Sequence, residues 1–186
     1  MAELNMADGD VLAGADTDEI DTQMTIICTS GTRPTGAEGR RIYETDTNRL
    51  YYYDGSAWVI ETEPLQTWSP TITQSSSVAG TVNRGWYQRR NGLWEAALKW
   101  TSSASGTAAN AIVVSTPLTT VNAADTGGSF RVYDASATTS YAGYVLGFTT
   151  TSVQLYCDAA TSALGINPAL TLATSDEIWL HIAGSY

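Results

Sequence analysis

The stretch GRRIYETDTNRLYYYDGSAWVI, residues 39–60, decides the fold at the start of this 186-residue chain. Two runs rich in Tyr and Ile, residues 41–45 and 50–53, flank a polar turn at residues 46–49. β-Branched and aromatic residues around Asp and Asn turn formers predict a hairpin. A second turn at residues 54–56 and a third short strand at residues 57–60 follow.

Alternation along this ribbon places Ile42 and Glu44 on one face and Tyr43 on the other. A ribbon this small is marginal alone in water, so its aromatic residues need cover from packing or from an interface. Successive tyrosines on a strand point to both faces, which leaves two interpretations open: structural packing and contact with a glycan. The hairpin aromatics in question are Tyr43, Tyr51, Tyr52, Tyr53 and Trp58.

Several short motifs surround the ribbon. The chain reads CTSGTRPTG at residues 28–36, IYETDT at 42–47 and YDGSAW at 53–58, with GDVL at 9–12 upstream. These motifs resemble a module of structural proteins from tailed bacteriophages, mainly phages of actinobacteria, in which it occurs in tail-fibre, minor tail or head-decoration components. The resemblance spans roughly residues 8–60. It implies a virion protein and brings no catalytic residues with it.

Composition indicates a β-rich protein without a membrane span. Charged residues make up 15% of the chain, and no window holds 18 uninterrupted apolar residues. The first residues lack a basic segment and a hydrophobic segment, so no secretory signal is expected and synthesis in the host bacterial cytoplasm fits. Cys28 and Cys157 are expected to be buried reduced thiols, with an interdomain disulfide as the alternative.

The net charge of −10 is concentrated at the N-terminus. Residues 1–21 carry acidic side chains and no Lys or Arg, whereas residues 64–186 are nearly balanced. This acidity argues against nucleic acid or an anionic membrane as a partner. The arm, residues 1–27, is either a solvated disordered tail or an extended segment that docks on a basic surface of another virion protein. The candidate attachment residues are Asp8, Asp10, Val11, Leu12, Asp16, Ile20, Ile26 and Ile27.

A calcium loop in the arm is excluded by its spacing. Asp8, Asp10, Asp16 and Glu19 fit four positions of an EF-hand loop, but Leu12 and Ala13 stand where an oxygen ligand and a Gly are required. A looser cation site between subunits remains an alternative. We therefore expect no metal and no cofactor.

The rest of the chain predicts a second, all-β domain. After the hairpin module, residues 28–62, Pro64 and Pro70 mark a linker at residues 63–70, where regular pairing is expected to stop. Residues 71–186 then predict an antiparallel, jelly-roll-like β-sandwich. The expected strands are 85–90, 93–100, 111–115, 129–134, 141–149, 152–157 and 177–185.

Two of these strands carry a clear pattern. Asn91-Gly92 between 85–90 and 93–100 is a strong hairpin signal. Alternation places Trp94 with Trp100 on an inner face and Lys99 on a solvated one. The last strand is nearly continuously apolar, so both of its faces are expected to be covered. The many aromatic residues and few charges of this domain predict a homo-oligomer with cyclic symmetry, and the resemblance to phage fibre and decoration proteins implies a homotrimer. The alternative is that the aromatics lie wholly inside each subunit.

Catalytic patterns are lacking in the sequence. His181 is the single histidine, no Gly-x-Ser-x-Gly is present, and Cys157 lacks a clear histidine partner unless His181 folds beside it. Asp176-Glu177 is interpreted as a pair of turn acids rather than as a glycosidase pair. Aromatic residues that face a ligand from loops are a separate possibility, and the candidates are Tyr141, Tyr144 and Tyr156.

The resemblance to phage modules, together with the lack of catalytic patterns, implies a non-enzymatic structural protein on the surface of a tailed-phage virion. The N-terminal module is expected to dock on a major capsid or tail protein, and a trimeric β-sandwich is expected to project outward. Without heptads or a collagen-like shaft, capsid decoration and stabilisation or a short fibre is favoured. The alternative is a tail-tip receptor-binding module that recognises host-envelope carbohydrate. A weaker third class is an enzyme acting on that envelope.

Overall fold

The computed structural model of the protein describes residues 25–158 and 160–186. The chain separates into two compact units, Met1–Glu63 and Pro64–Tyr186. In the described residues both units are built from strands, and the one helical element there is a 3-10 turn at Ala123–Asp125. The prediction of an all-β protein is therefore confirmed. Within the same residues, no helix has the length and apolar character needed to cross a membrane.

The first unit is a four-stranded sheet with the strands in sequence order. Strands β2, β3 and β4 form the antiparallel ribbon that the sequence predicts, while β1 pairs in parallel with β2. Ile26 and Ile27 therefore belong to this sheet and not to an extended arm, because their β-branched side chains favour pairing with the open edge of β2. The strands are β1 (Thr25–Cys28), β2 (Arg41–Glu44), β3 (Arg49–Tyr53) and β4 (Trp58–Thr62).

Buried ion pairs supplement the small apolar core of this sheet. Glu44 and Glu63 are buried carboxylates. Glu44 pairs with Arg33, and Glu63 accepts a hydrogen bond of 3.0 Å from Arg49 Nε. Burial acts to raise the pKa of the Glu44 carboxyl, but hydrogen bonds from Arg33 and Thr47 outweigh it and hold that pKa below 4.5. Both carboxylates are therefore neutralised by a neighbouring arginine.

The second unit is one antiparallel sheet of ten strands, in the order β5-β8-β9-β14-β11-β12-β13-β10-β6-β7. The strands are β5 (Gln66–Thr67), β6 (Ile72–Gln74), β7 (Ser76–Ser77), β8 (Gly80–Arg90), β9 (Leu93–Ser102), β10 (Val113–Ser115), β11 (Gly127–Asp134), β12 (Thr139–Thr149), β13 (Ser152–Cys157) and β14 (Glu177–Ser185).

This sheet must curl, because strands at its opposite ends are joined by a short connection. Strands β5 and β6 are eight strand positions apart in the sheet, which is about 38 Å in a flat sheet. The connection from Thr67 to Ile72 spans at most about 18 Å. Curling turns one face inward, and that face encloses the apolar core around Trp94, Trp100 and Ile178.

A buried amide ties two long loops to this core. Gln74 Nε2 donates to the carbonyl of Leu170 at 2.6 Å and to that of Asn110 at 3.0 Å. Its Oε1 accepts a hydrogen bond from Leu172 N at 3.0 Å. All the polar atoms of this side chain are thus paired, which makes its complete burial tolerable.

The local predictions for this unit hold, whereas two others are wrong and two short strands were missed. Asn91 and Gly92 form the turn of the β8–β9 hairpin with φ values of 50° and 76°. The linker nevertheless contains a strand, β5, which pairs with β8 at Trp86 and Tyr87. Strands β6 and β7, each three residues or shorter, were not predicted at all. The expectation that both faces of β14 are covered is also wrong for the single chain, since His181 is exposed.

Candidate ligand-binding face

The outer face of the curled sheet carries a row of side chains that runs across six neighbouring strands. Strand pairing aligns Trp86 with Ala97, His181 and Ser129, and then with Tyr144 and Tyr156. Aromatic rings stand at both ends of this row, whereas the short side chains of Ala97 and Ser129 lie between them. The exposed His181 side chain stands between these two, at the centre of the row.

A second row, one step along the strands, is positively charged. Lys99 on β9, Trp179 on β14 and Arg131 on β11 are in register with one another. The Lys99 Nζ lies 5.1 Å from the centre of the Trp179 ring, and the Arg131 Cζ lies 5.0 Å from it. Such cation–π contacts hold the two long side chains beside the indole ring. Arg84, paired with Lys99 on β8, extends the row.

These two rows enclose an open groove of about 590 Å³. We call it the basic groove, and its polar and aromatic walls are Arg84, Trp86, Lys99, Arg131, Trp179 and His181. Three of the five basic residues of the second unit are here. Among the described residues no carboxylate lines it, and Glu177 lies at its edge, 3.5 Å from Lys99 Nζ.

The tyrosines predicted to face a ligand lie on strands, not on loops. Tyr144 and Tyr156 stack on the outer face with ring centres 5.7 Å apart and an angle of 9° between the ring planes. The Tyr156 hydroxyl donates to Gln154 Oε1 at 3.0 Å. Tyr141 does not join them, because it pairs with the buried Val132 and packs against the core from the inner face.

The hairpin aromatics of the first unit are largely engaged in packing. Tyr51 is buried, and the Arg33 guanidinium lies 4.6 Å from its ring centre. Tyr53 and Trp58 meet edge to face at 5.3 Å, and the Tyr43 hydroxyl donates to Asn48 Oδ1. Tyr52 is half-buried. These contacts account for the Tyr-rich sequence without a ligand.

The thiols and the histidine are not brought together. Cys157 packs against the core, whereas His181 points outward from β14, so the two are on opposite faces of the sheet. Cys28 and Cys157 are both free thiols. Burial raises the pKa of each thiol, and nearby carboxylates, Glu44 for Cys28 and Asp158 for Cys157, raise it further. Both sulfurs are therefore held in the protonated, weakly nucleophilic form.

The remaining acidic candidates have structural partners or lie outside the described residues. Asp176 is buried and accepts hydrogen bonds from the backbone amides of Ala135 and Ala173. No group of three or more His, Cys, Asp or Glu side chains that fits a metal ion occurs in the described part of the chain. Six of the candidate attachment residues lie outside that part: Asp8, Asp10, Val11, Leu12, Asp16 and Ile20.

Comparison with protein-family models, with curated proteins and with solved structures found no match to this chain. The basic groove is therefore described from its own geometry. Sequence reasoning did not identify it as a site, although Lys99 was placed on a solvated face.

Proposed function

We propose that this chain is a non-enzymatic structural protein on the surface of a tailed-phage virion. In this proposal the N-terminal unit docks on a capsid or tail protein and the second unit is displayed outward as a trimer. Decoration of the capsid, or a short fibre, is the favoured role. The resemblance of residues 8–60 to phage structural modules supports the location, and the surface of the second unit supports association between copies.

The observation that carries the trimer is an apolar stripe on β12. Tyr144, Leu146 and Phe148 are exposed by 39, 47 and 56%, respectively, at alternate positions of that strand. Exposed apolar residues that adjoin one another are costly in water, and an interface between identical subunits covers them by symmetry. As decoration, each trimer would bridge neighbouring capsid subunits and oppose the pressure of the packaged DNA.

Substitution within this stripe tests the trimer. Leu146→Asp places a charge in the proposed interface, and we expect it to convert the trimer to monomers in light scattering coupled to size exclusion. Ile166→Asp is the matched control, because Ile166 is an exposed apolar residue outside the stripe. A monomeric wild-type protein, or equal effects of the two changes, would refute this assembly.

The copy number per virion tests the location. Quantitative mass spectrometry of purified particles, scaled to the major capsid protein, is expected to find hundreds of copies for a decoration protein. Removal of residues 1–24 tests attachment and leaves β1 in place, whereas a deletion through residue 27 would also remove most of a strand. Normal incorporation of the shortened protein would contradict a docking role for the arm.

The basic groove favours a second function, recognition of host-envelope carbohydrate by a tail-tip protein. Aromatic walls and a few polar groups in a surface depression are typical of sites that bind small ligands. This function predicts single digits to low tens of copies per particle, so the same measurement separates it from decoration.

A further inference from the structure

We propose that the basic groove binds a sugar that carries one carboxylate group, such as a hexuronic acid unit of a surface glycan. This inference names the ligand class of the second function given above and rests on that function. It concerns the row Lys99, Trp179 and Arg131 and the neighbouring ring of Trp86.

The charges indicate an anionic ligand. Arg84, Lys99 and Arg131 contribute three positive charges to the groove, and Glu177 at its edge offsets one of them. These are three of the five basic residues of a unit whose positive and negative charges are nearly balanced. A cationic cluster that the protein neutralises only in part is suited to binding an external anion.

The geometry favours a carboxylate in a fixed position. Arg131 is held from two sides, by the Trp179 ring at 5.0 Å and by Ser140 Oγ, to which its Nη2 donates at 3.2 Å. Its Nε also donates to Ser140 Oγ, at 3.4 Å, so the paired N–H donors left for a carboxylate are those of the Nη1–Nη2 edge. Lys99 approaches the same ring from β9, on the other side of β14, and adds a second positive charge to the groove.

The surroundings indicate that the anion is part of a sugar. Trp86 stands one strand beyond Lys99 and presents an aromatic wall, while Ala97 and Ser129 leave space above the sheet. The C–H faces of a pyranose ring pack against an indole ring, and Ser129 and Asn83 offer polar groups for hydroxyls.

Single-stranded nucleic acid fits the groove less well. A nucleic acid carries a charge at every residue and is bound by basic groups that follow its backbone. Here the cations form one compact row, whereas the ends of the outer-face row are uncharged aromatic rings. One negative charge flanked by neutral sugar surface matches this arrangement.

The test compares methyl β-glucuronide with methyl β-glucoside, which differ by a carboxylate in place of a hydroxymethyl group. Binding to the full-length protein is followed by NMR of indole N–H signals and by calorimetry. We expect the glucuronide to bind roughly tenfold more tightly than the glucoside, and to lose most of that preference when salt is raised from low to high concentration.

Charge-removing variants locate the site. Arg131→Gln and Lys99→Gln are each expected to weaken glucuronide binding by roughly tenfold while the glucoside is affected little. The control is Arg90→Gln, which removes an equal charge from an exposed position of the same unit outside the basic groove. Unchanged amide exchange in β9, β11 and β14 would show that the variants keep their fold.

Each other outcome overturns the inference in a distinct way. Equal binding of both glycosides would refute the acidic sugar and leave carbohydrate recognition standing, whereas binding of neither would refute both. Equal affinity for acetate would show that no sugar is recognised, and tighter binding of a hexathymidylate would identify nucleic acid as the ligand. An equal loss in Arg90→Gln would place the site elsewhere. The copy number per virion is unaffected by any of these results.

Discussion

Replacing Gln74 with Met is expected to destabilise the second unit strongly. The side chain is fully buried, and its amide makes three hydrogen bonds to backbone groups of Asn110, Leu170 and Leu172. Met has a similar volume and flexibility but makes none of these bonds, so the change removes hydrogen bonding with little change in packing. The two loops that contain the partners would then lose their common anchor.

The magnitude follows from the groups left unpaired. A buried donor or acceptor without a partner costs about 1–3 kcal/mol, and three such groups that share one site give about 2–5 kcal/mol after relaxation. With an m-value of about 2 kcal/mol/M, the urea midpoint should fall by about 1–2.5 M. Tryptophan fluorescence reports this transition, because five of the six tryptophans are in the second unit.

A measurement at one residue distinguishes the loss of the Gln74 hydrogen bonds from a general loss of stability. The amide of Leu172 should exchange with solvent much faster in Gln74→Met, since its acceptor is removed. Gln66→Met is the control, because the Gln66 side chain is half-buried and donates a local hydrogen bond to the carbonyl of Pro64. A loss below about 0.5 kcal/mol, with the Leu172 amide still protected, would refute the role of Gln74 as an anchor.

Three further outcomes are expected from the ion pairs and the turn. Glu44→Gln should weaken the first unit by about 2–3 kcal/mol in hydrogen exchange of β2 and β3, whereas Glu61→Gln, in a more exposed pair, should cost under about 1 kcal/mol. Because the folded pKa of Glu44 is lowered, its contribution to stability is complete above pH 4.5 and disappears as the pH falls through the folded value; Glu44→Gln should flatten this acid dependence. Gly92→Ala, at φ 76° in open space, should lower the free energy of unfolding by about 1 kcal/mol, as measured by urea denaturation. Gly127→Ala should leave that free energy nearly unchanged.

Much of the strand content follows from local sequence. The bounds of β13 and β14 agree with the predicted ranges, and the β8–β9 turn forms at Asn91-Gly92. The alternation of apolar and polar residues and the residue types of turns act over a few positions, so they can be recognised directly in a sequence. Short strands such as β6 and β7 have too few residues to show such a pattern, and they are defined by pairing partners elsewhere in the chain. The parallel pairing of β1 is a long-range feature of the same kind.

The basic groove shows where reasoning from sequence ends. Alternation along a single strand shows on which face of that strand Lys99 or Trp179 lies. What the sequence does not show is that β14 lies between β9 and β11, an order that brings Lys99, Trp179 and Arg131 into one row. Strand order is decided by packing of the whole core, so a site assembled across strands becomes visible only with the fold.

The curled sheet ends on both sides in a very short strand. Strands β5 and β7, at its two edges, each contain two residues, Gln66–Thr67 and Ser76–Ser77. Long unpaired edges act as templates for pairing with other chains, whereas edges this short expose few backbone groups. Neither β5 nor β7 therefore offers another chain more than two residues of open strand, and a contact with another copy through these two strands would rest on side chains.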